Sequence, residues 1–346
     1  MANLAVQSPS INENRSDLFP IQIRYVLWQK HRQTSSLINP HFMKKISLAL
    51  LWSLSISFCH AQEGNPRYRD IDMPNDKPVS VYSPLRVSPP HVPKFFSLFG
   101  EKIPLEIRDV RERFDRELLM NTFMQGSTSY IIKLTSRWLP MIEERLAANG
   151  LPDDFKYLCV AESALQNQTS KAGAVGFWQF MSSTAPSYGL YIDDEVDERY
   201  NAERATDAAC KYLKDAYARF GNWTAAAASY NCGMGGMSSA LANQGETSFY
   251  DVLLPEETMR YVFRIAALKY IIVNQKQLGF QFQDEEVYKP IQVRRDSISG
   301  GIGNLIVYAK SKGTNYKTLK MLNPWMRDKN LNNFKRRNYV VLLPAE

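Results

Sequence analysis

The chain has 346 residues, 45% hydrophobic and 22% charged, so it carries enough apolar material for roughly two globular domains. This composition excludes a mainly disordered chain, a collagen-like repeat and a disulfide-framework protein, since there are only four cysteines. No run of about 20 apolar residues occurs, which excludes a polytopic membrane protein.

The net charge of +7 is concentrated at one end of the chain. Residues 285–346 hold twelve Lys and Arg against five Asp and Glu, whereas residues 62–284 hold 24 against 28. A nucleic-acid-binding protein usually presents a basic stripe along a whole domain. We therefore predict no nucleic-acid partner.

A targeting signal is predicted near the N-terminus. Met43 is followed by two lysines, an apolar run at 46–59 and a small residue at Ala61, which is the pattern of a secretory signal peptide. Residues 1–42 are interpreted as an extension from a mis-assigned gene start. We expect an exported protein of the periplasm or cell envelope, and lipid attachment at Cys59 with outer-membrane association stays open.

The exported part contains three cysteines, Cys159, Cys210 and Cys232. Cys159 and Cys210 lie on helical patterns that could face each other in an oxidising compartment. The alternative is that all three are buried as small hydrophobic residues. The few histidines show no ligand spacing with the cysteines, so no metal and no cofactor are predicted.

The middle of the chain is predicted to be all-α. Residues 62–100 contain seven prolines, which disfavour helix and indicate an extended tether. Strand signals are then nearly absent before Phe280. Apolar residues recur with helical spacing in six later segments. These are 130–149, 153–166, 177–187, 202–220, 224–231 and 256–278.

The character of the chain changes after Gln283. Strand-like runs at 291–295 and 339–344 bracket two short helical patterns at 302–312 and 316–322, which predicts a β-α-α-β unit. The predicted organisation is therefore an extension at 1–42, a signal peptide at 43–61, a Pro-rich linker at 62–100, a helical domain at 101–284 and a small domain at 285–346.

Glu162 is the first candidate for chemistry. Its neighbours from Leu158 to Leu165 are mostly apolar, so a helix carries this carboxylate on an apolar surface. Burial without a cation raises the pKa of a carboxyl group, and a protonated carboxyl can then act as a general acid. Taken alone, such a residue is more often a helix-surface glutamate.

Two further clusters follow. The glycines at 173 and 176 predict a tight turn into a helix whose first turn presents Gln179 beside Trp178, an amide and an aromatic ring of the kind that sugars require. Alternatively, Trp178 is core and Gln179 is solvated. Tyr230 and Asn231 precede a glycine break, which suits the edge of a cleft where phenol and amide hold a carboxyl group.

The order and spacing of four motifs resemble the lytic transglycosylases, and in particular the membrane-bound lytic murein transglycosylase D family. The motifs are ES at 162–163, GFWQ at 176–179, YN at 230–231 and ETMRYV at 257–262. The resemblance covers about residues 101–283. One departure is Ser229, where the family has alanine. The resemblance implies a mainly α, lysozyme-like transglycosylase domain.

The resemblance also implies an activity. The expected enzyme is a peptidoglycan lytic transglycosylase, a lyase that cleaves the β-1,4 bond between N-acetylmuramic acid and N-acetylglucosamine and leaves a 1,6-anhydromuramyl end. Glu162 would be the single acid and base. The substrate-binding residues carried over from the family motifs are Ser163, Trp178, Gln179, Tyr230, Asn231 and Tyr261. Among their roles, Ser163 would orient the carboxyl group or the substrate, and Tyr230 and Asn231 would hold Glu162 by hydrogen bonds.

Two alternatives remain. A lysozyme-type hydrolase would need a second acid, for which the acidic run at 193–198 is the candidate, although such a run is usually a solvated loop. A non-catalytic wall-binding protein is the other alternative.

The C-terminal unit resembles a degenerate LysM module through the residues around 316–324 and the closing VLLP at 341–344. The expected partners are peptidoglycan glycan strands, with wall or membrane-surface contact through the basic C-terminal module.

Overall fold

The computed structural model describes residues 90–345, which belong to one compact unit spanning Pro84–Glu346. The predicted extension at 1–42, the signal peptide at 43–61 and all but the end of the linker at 62–100 lie outside the described residues. Within the described range, no helix is long and apolar enough to cross a membrane.

The first part of the structure is helical, as predicted. A hairpin of two-residue strands opens it and six helices follow, with a 3₁₀ turn at Ala185–Tyr188 and another at Glu198–Tyr200. The elements are β1 (Ser97–Leu98), β2 (Glu101–Lys102), α1 (Arg108–Phe123), α2 (Gln125–Ala148), α3 (Phe155–Ser163), α4 (Ala202–Phe220), α5 (Trp223–Gln244) and α6 (Glu256–Val273).

Helix α4 illustrates why these segments become helices. The Asn201 side chain accepts a hydrogen bond from Arg204 N at the start, and Gly221 ends the helix with φ 71°. The buried face of α4 is rich in alanine and packs against the fully buried alanines 225–228 of α5. Small side chains let the two backbones approach closely, so this part of the core is narrow and dense.

The helix predicted at 177–187 is wrong. Residues 173–180, which we call the glycine turn, form an irregular loop in which Val175 pairs with Phe180 and with Thr169. Gln179, inside the predicted span, has φ 49°, and a left-handed residue interrupts a right-handed helix. Of the predicted span, only the short 3₁₀ turn is helical.

The predicted glycine break after Tyr230 and Asn231 is present. Gly233 has φ 77° and ψ 150°, so it interrupts the helical path of α5 one turn after Tyr230. Only glycine adopts this conformation without strain. The first part of α5 therefore ends shortly after Tyr230 and Asn231.

The C-terminal part is the predicted β-α-α-β unit. Its elements are β3 (Val293–Ile298), α7 (Leu305–Ser311), α8 (Tyr316–Leu322) and β4 (Tyr339–Pro344). The two strands are antiparallel, with Val293 opposite Pro344 and Ile298 opposite Tyr339. A small separate core lies between the helices and β4, and it includes Val196 from the helical part.

Candidate active site

Glu162 lies in the last turn of α3, where that helix packs against α6. Leu158 and Cys159 on the preceding turn are fully buried. The two residues after Ser163 have left-handed φ angles of 52° and 58°, so the helix ends directly behind Glu162. The carboxyl group is half-buried, in surroundings that are mostly apolar.

Burial raises the pKa of Glu162 from 4.5 to about 7. A hydrogen bond from the hydroxyl group of Tyr261 and the positive charge of Arg264 act in the opposite direction, and the charge of Glu257 adds slightly to the rise. Near neutral pH, both the acid and the carboxylate are therefore populated. A group with this property can give up a proton in one step and take one back in the next.

Tyr261 is the direct partner of the Glu162 carboxyl group. Its side chain on α6 is 2% exposed, and its hydroxyl donates to Glu162 Oε1. Burial and the neighbouring charge of Glu162 raise the pKa of the phenol well above its ordinary value. Tyr261 therefore remains a neutral donor that fixes the orientation of the carboxyl group.

The expected hydrogen bonds from Tyr230 and Asn231 to Glu162 are not the ones that form. The Tyr230 hydroxyl donates to the backbone carbonyl of Trp178 at 2.8 Å. Asn231 Oδ1 accepts from the hydroxyl of Thr258 at 2.8 Å. Burial raises the pKa of the Tyr230 phenol well above its ordinary value, and the charge of Glu162 acts in the same direction.

Gln179 lies at the end of the glycine turn and is half-buried. Its side-chain amide donates to the carbonyls of Gly176 at 2.8 Å and Gln168 at 3.1 Å. Both bonds use the amide nitrogen of Gln179 as the donor and hold the side chain against the turn. Neither bond involves the amide oxygen. The left-handed backbone of Gln179 is the kind of local strain that functional sites often contain.

Two predicted site residues belong to the core instead. Trp178 is fully buried, and its indole N–H donates to the Thr206 hydroxyl at 2.8 Å, so it does not present its ring to a sugar. Ser163 is 1% exposed, and its hydroxyl donates to the carbonyl of Cys159 at 3.2 Å rather than to Glu162. Both corrections have the same cause, because these side chains point to the buried side of their segment.

The acidic run at 193–198 contacts the C-terminal part of the chain. Glu195 accepts a hydrogen bond from Asn332 N at 2.8 Å, and Asp197 forms an ion pair with Arg199. Glu198 accepts from Tyr191 N at 2.7 Å. Asp193 and Asp194 are exposed, as expected for a solvated loop, whereas Asp197 and Glu198 are buried.

The described residues contain no disulfide, since Cys159, Cys210 and Cys232 are all free thiols. Cys159 and Cys210 are buried and Cys232 is partly buried. Burial raises the pKa of all three thiols, so they are poor nucleophiles. Among residues 90–345, no group of three or more potential metal ligands is present.

Sequence reasoning missed two arginines. Arg264 influences the Glu162 carboxyl group, and it also contacts Glu117, a buried carboxylate of α1, at 3.7 Å. The spacing of Glu257, Tyr261 and Arg264 at i, i+4 and i+7 places them on one face of a helix and could have indicated this. Arg199 holds the glycine turn through hydrogen bonds to the carbonyls of Gly173 and Phe180. It was missed because these partners lie 26 and 19 residues away in the chain.

Comparison with known proteins gives two family matches and two curated relatives. Residues 140–253 match the family described as Transglycosylase SLT domain, and residues 294–346 match the family described as Soluble lytic transglycosylase C-terminal LysM-like domain. Two curated relatives, each named "Membrane-bound lytic murein transglycosylase D", come from Escherichia coli strain K12 and from Escherichia coli O6:H1 strain CFT073.

Each relative is 32% identical over 160 residues, which cover 44% of this chain and 35% of the relative. The chain therefore spans about a third of the length of these relatives. Both predicted resemblances, of the helical domain and of the C-terminal module, are confirmed. The chain carries an SLT-type transglycosylase domain followed by a LysM-like C-terminal domain, and its central part is homologous to membrane-bound lytic murein transglycosylase D.

Proposed function

We propose that this protein is a lytic transglycosylase, a lyase that cleaves peptidoglycan glycan strands with Glu162 as its single acid and base. The observation that carries the proposal is the half-buried Glu162 carboxyl group with a pKa of about 7, oriented by Tyr261. The family match and the relatives' printed names support the same activity.

In the first step, protonated Glu162 gives its proton to the glycosidic oxygen between N-acetylmuramic acid and N-acetylglucosamine. The bond from muramyl C1 to that oxygen breaks, and the N-acetylglucosamine leaves with a hydroxyl group. The acid is available at neutral pH because burial disfavours the charged carboxylate.

In the second step, the Glu162 carboxylate removes the proton from the muramyl C6 hydroxyl, and O6 bonds to C1. The product is a 1,6-anhydromuramyl end, no water is consumed, and Glu162 returns to its acid form. An attacking group within the same sugar has a high effective concentration, so a second carboxylate to activate water is not needed.

Three polar side chains are proposed to bind the sugar next to Glu162. Gln179 has an amide oxygen that its internal hydrogen bonds do not use. Tyr230 and Asn231 lie before the Gly233 break, half-buried at the end of the alanine-rich part of α5. Their present hydrogen bonds hold them in place without consuming all of their polar capacity.

The C-terminal unit is proposed to contact the wall or a membrane surface. Phe334 is 89% exposed and is followed by exposed Lys335 and Arg336. Lys335 and Arg336 also border a cavity of about 630 Å³ between α4 and β4. An aromatic ring beside two cations suits a glycan that carries carboxylates. We propose a location in the periplasm or cell envelope, in keeping with such a role.

The hydrolase alternative is less well supported. Asp197 and Glu198 are each paired with an arginine, and Glu195 is bound by Asn332. A carboxylate that activates water at C1 would have to leave such a contact. The pairing of these three carboxylates supports the mechanism with one acid.

Digestion of purified sacculi tests the proposal. The parent protein should release muropeptides lighter by one water molecule than the reducing forms, as detected by mass spectrometry, whereas Glu162→Gln should release none. Glu246→Gln, which removes an exposed carboxylate, is the matched control and should behave like the parent. Reducing-end products from the parent would indicate a hydrolase. Binding to sacculi without any product would indicate a wall-binding protein.

A further inference from the structure

One segment of the helical part touches both the C-terminal unit and the glycine turn. We call residues 195–200 the junction segment. They follow a loop after the first 3₁₀ turn and run into the start of α4. Most of the segment is buried, although it carries four charged residues. A buried charged segment requires specific partners, and these lie on two sides.

On the first side, the junction segment pairs with the chain between α8 and β4. Asp197 N donates to Trp325 O at 2.9 Å, and Arg327 N donates to Glu195 O at 2.7 Å. Between these bonds, Val196 is opposite Met326 and is fully enclosed in the core of the C-terminal unit. The C-terminal unit is therefore built around a residue of the helical part.

Side chains strengthen the same contact. Asn332 binds both carboxylate oxygens of Glu195, with its backbone N–H at 2.8 Å from Oε2 and its amide donating to Oε1. The guanidinium of Arg327 lies 4.1 Å from the centre of the Tyr200 ring. Such a charge-assisted pair and cation–π contact favour one relative orientation over others.

On the second side, Arg199 holds the glycine turn. Its guanidinium donates to Phe180 O at 3.1 Å and to Gly173 O at 3.3 Å, the two ends of the turn. Its remaining N–H groups bind both carboxylate oxygens of Asp197, at 3.0 and 2.8 Å. Both Arg199 and Asp197 are buried, so the pair is shielded from water.

The turn also lies directly on the backbone of the junction segment. A Cβ atom added at Gly176 would lie 2.0 Å from Arg199 O, which only glycine avoids. Asn167, in the loop before the turn, donates from its amide to Tyr200 O at 3.0 Å. The position of Gln179 at the end of the turn therefore depends on where Arg199 and Tyr200 lie.

We infer that Arg199 is a positioning residue that couples the docked C-terminal unit to the glycine turn. Asp197 is the link, because its N–H binds Trp325 of the C-terminal unit while its carboxylate binds Arg199. The C-terminal unit then contributes to turnover of soluble glycan fragments, in addition to any attachment to the wall. This inference rests on the proposed function of the same site.

Point variants of the full chain test the coupling. Arg199→Lys keeps the charge, but one ammonium group cannot span Asp197 and both carbonyls. Asn332→Ala breaks the contact from the C-terminal side. On soluble glycan fragments we expect kcat to fall about tenfold or more for the first and several-fold for the second, with KM little changed. Asn338→Ala, an exposed residue of the same loop, is the control.

The pH profile separates positioning from chemistry. Neither variant touches the surroundings of Glu162, so the pH at which kcat/KM declines should stay as in the parent. An unchanged kcat for both variants, measured well below their melting temperatures, would overturn the inference. The inference would also be wrong if the fall in activity came from a shift in the pH dependence of kcat/KM.

Hydrogen exchange gives a measurement that does not depend on activity. In Asn332→Ala, amides of the glycine turn such as those of Val175 and Phe180 should exchange about tenfold faster. A tenfold change in rate corresponds to about the free energy that one hydrogen bond to a charged group contributes. Amides of α6 should not change. Unaltered exchange in the turn would refute the coupling. A parent protein that cleaves no glycan would refute the proposed function instead.

Discussion

Replacing Glu162 by glutamine should make the protein more stable at alkaline pH and leave its stability nearly unchanged at acid pH. Glutamine has almost the same shape, stays neutral at every pH, and its oxygen can accept the Tyr261 hydrogen bond. The parent carboxyl group has a pKa raised from 4.5 to about 7 in the folded state. Below pH 4.5 it is protonated in both the folded and the unfolded protein, so no difference arises.

Between pH 4.5 and 7, the folded protein retains a proton that the unfolded chain has released. The parent therefore loses stability as the pH rises through this window, and the Gln variant does not. A difference of this size in pKa corresponds to at most about 3 kcal/mol. Because water reaches part of the half-buried carboxyl group, we expect about 1–3 kcal/mol in favour of the variant above pH 8, constant from there.

Urea unfolding at about pH 4, 6 and 8.5, followed by circular dichroism, measures the effect as a change in the free energy of unfolding. Glu246→Gln serves as the control for removal of an exposed carboxylate. If the difference between Glu162→Gln and the parent is the same at all three pH values, the Glu162 carboxyl group is not destabilised by burial. The proposed acid would then lack its physical basis.

Three further substitutions test the site and the glycine turn. Tyr261→Phe removes the hydroxyl that stabilises the Glu162 carboxylate, so the pKa of Glu162 should rise and the alkaline decline of kcat/KM should move to higher pH; a move to lower pH would contradict this. Gly176→Ala combines a left-handed φ with a clash against Arg199 O and should lower the free energy of unfolding by about 3 kcal/mol or more. Gly173→Ala has the left-handed φ without a neighbour within 4 Å, and should cost about 1 kcal/mol. Equal losses for the two glycine variants, measured by urea unfolding, would show that the close approach at Arg199 is unimportant.

The helical part and the C-terminal unit are in direct contact. Sequence patterns indicated a helical domain and a small basic module, and predicted no contact between them. In the structure, Val196 is part of the core of the C-terminal unit, and Glu195 is bound by Asn332. Of the acidic run at 193–198, the Glu195 side chain and the Asp197 backbone N–H therefore take part in docking.

Much of the fold could be predicted from the sequence because it depends on local patterns. Helical spacing of apolar residues, the asparagine before α4 and the glycine after it specify that helix whatever surrounds it. The β-α-α-β order of the C-terminal unit follows equally from alternating strands and short amphipathic segments. Glu162 was identifiable as a candidate, since a carboxylate on an apolar helical face is rare and three other motifs accompany it.

Only the tertiary structure decided which side chains meet. Local pattern does not distinguish the buried Trp178 from the half-buried Gln179, because the path of the turn that carries them depends on its packing against Arg199 at Gly176. Tyr261 binds Glu162 from 99 residues away, while Tyr230 turns to a backbone carbonyl. The raised pKa of Glu162 is likewise a property of packing, because it depends on how much water the other helices exclude.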